Sequence, residues 1–75
     1  MSFQGYLNSI ERITGKTPAD FRSLADQRGY MAGGLLRDEI KAKQVVDWLK
    51  SDFGLGHGHS MAIFTLLKGR KKEGD

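Results

Sequence analysis

Gly54-Leu55-Gly56-His57-Gly58-His59-Ser60-Met61-Ala62-Ile63 is the stretch on which the fold of this chain turns. Three alternating glycines join two apolar-striped segments and predict two helices linked by a tight turn. Glycine has no Cβ, so it admits positive φ and lets a second backbone or a ligand come close. The first amides of a helix lack internal partners and sit at the positive end of its dipole, which suits anions and phosphate above all.

Upstream of the turn, residues 42–53 set Val45, Val46, Trp48, Leu49 and Phe53 on one broad face, and Gly54 ends that helix. Downstream, a helix over 59–68 has Ala62, Ile63, Leu66 and Leu67 as its buried set and Gly69 as its stop. Nearer the start of the chain, Phe3, Tyr6, Leu7, Ile10 and Ile13 recur at spacings of three and four, with Ser2 as N-cap and Gly15 as terminator. A second helix opens at Thr17-Pro18, a capping hydroxyl followed by proline at the first helical position. Asp20 adds negative charge to its first turn, Phe21, Leu24 and Ala25 form its stripe, and Gly29 closes it. Between these pairs, Gly33-Gly34 breaks regularity in 29–40, while Leu35, Leu36 and Ile40 pack down as a loop with a short helical turn near 35–39. No period-two alternation persists, so no strand is expected. The expected fold is all-α: a small four-helix domain over 1–69 made of two helical hairpins, with Trp48 at its centre and a charged flexible tail over 70–75.

Seventy-five residues allow one domain, and a chain of this length buries only about 60% of its unfolded surface. No cysteine is present, so neither a disulfide nor a thiolate metal site supplements the core. No apolar run approaches the roughly 20 residues that span a bilayer, and Met1-Ser2-Phe3-Gln4-Gly5-Tyr6 lacks the pattern of a signal peptide. A cytoplasmic protein without a membrane partner is expected. The formal net charge is +3. Without Arg70, Lys71, Lys72, Glu73 and Asp75, the 12 basic and 9 acidic residues become 9 and 7, a mildly basic body.

Two accounts of the turn stand side by side. In one, Gly54 is a helix cap and Gly56 with Gly58 makes a tight turn, so geometry alone explains the glycines. In the other, residues 54–60 bind a nucleic-acid backbone: Gly54, Gly56 and Gly58 offer amides, His57 and His59 add charge, and Ser60 lies in the first turn. Lys50, Lys68, Arg70, Lys71 and Lys72 are then the flanking phosphate contacts. His57 and His59 do not make a metal centre, because a stable site wants three or four ligands and Asp52 is the nearest addition. Ser60 beside His59 is not a nucleophile–base pair, since such pairs need a third orienting group and an oxyanion hole. No catalytic residue and no cofactor is expected. Tyr30, Met31, Leu35 and Leu36, if unburied, make an apolar docking patch.

Four stretches occur in order: Phe3-Gln4-x-Tyr6-Leu7, Thr14-Gly15-Lys16-Thr17-Pro18-x-x-Phe21, Val45-Val46-x-Trp48-Leu49-Lys50, and the GLGHGHSMAI stretch. Together they resemble a bacterial family of small domains of unknown function carrying a GLGHGHxMAI motif. That resemblance implies a small helical domain and brings no activity or cofactor. Gly54-Leu55-Gly56 followed by Ala62-Ile63 also resembles the helix-hairpin-helix motif of sequence-nonspecific DNA-binding proteins. It implies that Leu55 plugs the space between two helices while the glycine amides face a phosphate oxygen. Phe53 stands where that motif often has proline, and Gly58 and His59 stand where it often has basic or hydroxyl residues. The functional expectation is a non-catalytic module that binds nucleic-acid backbone without sequence preference. The alternative is a protein-interaction or self-associating accessory domain.

Overall fold

The computed structural model describes residues 2–75. Four helices and one two-stranded hairpin follow in chain order: α1 Phe3–Thr14, α2 Pro18–Gln27, β1 Met31–Ala32, β2 Leu35–Leu36, α3 Ala42–Phe53 and α4 His57–Leu67. The domain is mostly helical but not purely so, which corrects the all-α expectation.

The strands pair antiparallel, Met31 with Leu36 and Ala32 with Leu35. Gly33 and Gly34 form the two-residue loop, with φ of 61° and 84°. A two-residue hairpin turn of this kind needs positive φ at both central positions, and a Gly-Gly pair supplies it without steric cost. The expected turn near 35–39 forms later, the Ile40 amide donating to Arg37 O at 3.0 Å, because Leu35 and Leu36 are spent in the ladder. Leu36 is buried, and the tip of Leu35 lies where a side chain on Gly69 would stand. The segment is folded down rather than presented as an apolar patch, although Leu35 itself remains 51% exposed.

Three helix starts are closed by side chains. Ser2 Oγ accepts from the Gly5 amide at 3.0 Å. Thr17 and Asp20 form a reciprocal capping box, Asp20 Oδ2 accepting from the Thr17 amide at 2.9 Å and Thr17 Oγ1 from the Asp20 amide at 3.2 Å. Those bonds hold the Asp20 carboxyl below its ordinary range, the Thr17 backbone amide first among the causes. At α3, Gln44 Oε1 accepts from the Lys41 amide at 2.8 Å.

The helix α4 is the axis of the core. Its sequence is apolar almost all round, as befits a helix enclosed by others. It packs against α1, α2 and α3. Thus α1 and α2 are each laid on α4, whereas α3 and α4 make the closest pair; the expected first hairpin of α1 with α2 is replaced by a shared central helix. Ile63, Leu66 and Leu67 of α4 meet Leu49 and Val45 of α3, Ile10 of α1 and Phe21 of α2 in one buried cluster. Trp48 is buried and belongs to the same cluster. Its ring is edge-on to Tyr30 and Phe53, and the Arg28 guanidinium lies 5.1 Å from both the Tyr30 and Trp48 ring centroids.

Residues 70–75 lie against the start of the chain. Arg22 grips the Glu73 carboxylate through two bonds of 2.8 and 3.0 Å, and the Gly74 amide donates to Gln4 Oε1 at 2.7 Å. The Arg22 guanidinium draws the Glu73 carboxyl down to about 2. No helix among the described residues is long and apolar enough to cross a membrane.

Candidate functional site

The turn between α3 and α4 is built from the C-terminal end of one helix and the bare start of the next. Gly54 caps α3 in the left-handed region at φ 66°, and its amide donates to Lys50 O at 3.0 Å. The Leu55 amide reaches back to Leu49 O at 3.3 Å. These two bonds satisfy the terminal carbonyls of α3. The Gly54 amide is accordingly occupied, which removes it from the expected phosphate donors. Leu55 turns inward and is only 2% exposed, joining the core between the two helices.

From Gly56 onward the backbone changes role. Gly56 is the N-cap of α4, extended at φ −70° and ψ 171°, and no side chain caps the helix. The first amide that bonds back into the helix is that of Ser60, to Gly56 O at 2.9 Å. Among the described residues, the amides of Gly56, His57, Gly58 and His59 make no bond within the chain. Four donors are left for solvent or a ligand, the set that any uncapped helix start exposes. No acidic residue occupies this first turn, so nothing there offsets the positive end of the dipole. The helix begins two residues earlier than expected, at His57, and Gly58 lies inside it.

Neither Gly56 nor Gly58 has a positive φ. An added Cβ would meet nothing within 4 Å at either position. The tight-turn account of Gly56 with Gly58 therefore fails: only Gly54 is required by backbone conformation. Gly56 is a serviceable N-cap residue, but Gly58 costs roughly 1 kcal/mol against alanine as a helical residue.

His57 is exposed, and His59 packs edge-on against Tyr6 of α1 with ring centroids 5.8 Å apart. Lys50 is exposed in the last turn of α3. Ser60 is fully buried and its Oγ has no hydrogen-bond partner. It points into the packed interior, where no ligand reaches, and so leaves the expected contact set. Lys68, Arg70, Lys71 and Lys72 follow the other end of α4, a helix of 11 residues that rises about 16 Å. That helix separates the tail lysines from the turn, so the expected flanking contacts fall in two places.

Chain direction partly reconnects them. Tyr6 meets His59 at the start of α4, while Phe3 lies under Lys71 just past its end, 5.9 Å from Nζ to the ring centroid. A shallow groove of about 230 Å³ runs between, lined by Phe3, Tyr6, Gly58, Met61, Ala62, Thr65 and Lys71. The reading from sequence missed this groove, because nothing in the spacing shows which face of α1 meets α4. Among the described residues, no group of three His, Cys, Asp or Glu side chains is placed to hold a metal ion.

The profile of a protein family described as Domain of unknown function (DUF4287) matches residues 2–69, and the chain belongs to that family. No curated protein and no solved structure matches the chain.

Proposed function

We propose that this family member is a non-catalytic module that binds nucleic-acid backbone without sequence preference through the start of α4. The observation that carries this is Gly58. It occupies a helical position where neither φ nor packing calls for glycine, and it stands among four amides without partners. A missing side chain there lets a bulky anion approach the backbone. Phosphate suits such a helix start, and a polymer of phosphates also meets Lys50, exposed in the last turn of α3.

The geometry also supports the likeness to a helix-hairpin-helix. Leu55 fills the gap between α3 and α4 while the glycines after it stay open. With Gly54 spent and Ser60 buried, the contact set narrows to Gly56, His57, Gly58 and His59, with Lys50 in the last turn of α3. Few phosphates are touched, so affinity is weak and falls with salt by a log–log slope of about 0.9 for each one neutralised on duplex DNA.

An amide-resolved NMR titration with a short mixed-sequence duplex tests this at low and moderate salt. Salt-sensitive shifts concentrated at residues 56–59, unchanged when the duplex sequence is altered, are the expected result. Absence of shifts at low salt overturns the proposal and favours a protein-interaction domain.

A further inference from the structure

We propose that the groove between α1 and α4 receives unpaired bases of a single-stranded nucleic acid, with phosphates of the same strand meeting Lys71 at one end and the start of α4 at the other. This rests on the phosphate reading of that helix start and adds a class of substrate to it.

The groove floor is apolar, formed by Met61, Ala62 and the Phe3 ring, and Tyr6 stands at its rim with 37% of its surface exposed. At about 230 Å³ it is smaller than the roughly 300 Å³ and upward that holds a drug-sized ligand, yet it is open along its length for a polymer to pass. Lys71 is the one charged residue in its lining, and it makes no ion pair among the described residues. No carboxylate lines the groove. Its other end is Gly58, in the turn of α4 that bears the unpartnered amides. An apolar trough with an aromatic rim between two positive ends complements a chain whose flat apolar groups alternate with negative charges. Single-stranded nucleic acid has that pattern, and stacking of bases on aromatic rings tolerates any sequence. In a duplex the base faces are covered by their neighbours, so the groove stays empty.

Fluorescence anisotropy at low salt compares an oligo-dT of about ten nucleotides, within the usual site sizes of such modules, with a duplex of equal length. The variants are Tyr6→Leu, Tyr6→Phe and Lys71→Gln, each checked for folding by circular dichroism. The single strand is expected to bind more tightly than the duplex. Tyr6→Leu should lower its affinity about fivefold or more and leave the duplex unaffected, while Tyr6→Phe, which keeps the ring, retains single-strand binding. Lys71→Gln should reduce the single-strand salt slope by about 0.7. Equal effects of Tyr6→Leu on both ligands, or none on either, overturn the groove proposal and leave the helix-start reading intact, since the duplex still binds. Loss of all binding in the unaltered protein overturns both. Tyr6-dependent binding of an acidic, leucine-rich peptide without oligo-dT binding also overturns it, assigning the groove to a protein partner.

Discussion

The molecule has two glycine-rich turns, and they use the residue for different ends. In the hairpin between β1 and β2, Gly33 and Gly34 both hold positive φ, so backbone geometry accounts for them fully. In the turn between α3 and α4, only Gly54 does; Gly56 and Gly58 sit in ordinary conformations with open space around them. A glycine that the fold requires says nothing about function. One that the fold would exchange for alanine points outward, to whatever approaches the backbone. The two ends of α4 differ in a related way: its start is uncapped, whereas the chain beyond its end is drawn back onto α1 and α2.

The strongest way to break this comparison is to remove what anchors the second turn. Leu55→Ala should cost about 2–5 kcal/mol, the usual range for a buried leucine, and a large part of the total stability of so small a domain. Denaturant unfolding reads this directly. A loss well under 1 kcal/mol would mean that Leu55 does not hold α3 to α4.

The glycines of the first turn come next. Gly34→Ala places a Cβ on a residue at φ 84° and should cost about 1–2 kcal/mol, read by the same unfolding curves. An unchanged midpoint would show that the hairpin relaxes out of the left-handed region, and the contrast between the two turns would weaken.

The smallest effect belongs to the tail. Glu73 titrates at about 2, below its ordinary 4.5, so its docking stabilises the chain above pH 4.5 and that contribution is lost as pH falls toward 2. An ion pair this exposed contributes at most about 1 kcal/mol. The carboxyl carbon shift of Glu73 followed against pH should show the low midpoint in the unaltered chain and the ordinary one in Arg22→Gln. A midpoint near 4.5 in both would mean that the tail is not held.

Much of the fold was legible because its signals are local. The Ser2 and Gly15 ends of α1, the Thr17-Pro18 start of α2 and the bounds of α3 follow from capping chemistry and apolar spacing. The strands were not, since two residues each give period-two alternation no room to appear; the Gly33-Gly34 pair was the available sign, and it was taken only as a break. Gly58 pushed the expected start of α4 to His59 because glycine is a poor helix former. At the site, the surplus of glycines was visible, but not how they divide. Whether the Gly54 amide is spent depends on the path of α3 back to Lys50 O, and whether Ser60 is buried depends on which helices surround α4. Lys68 and Lys71 stood at the far end of the helix expected over 59–68, and sequence could not show that Lys71 lies against the Phe3 ring.

The central claim is that Gly58 serves a ligand and not the fold. Gly58→Ala, measured for stability by denaturant unfolding and for affinity on a short duplex at low salt, tests it most directly. Stability should rise by about 0.4–1 kcal/mol, as for glycine replaced at a compatible site. Affinity should fall about tenfold, because the added methyl holds the phosphate off the amides and weakens a charge-assisted hydrogen bond. Unchanged affinity in a stabilised variant would contradict the account, leaving Gly58 without a role in binding.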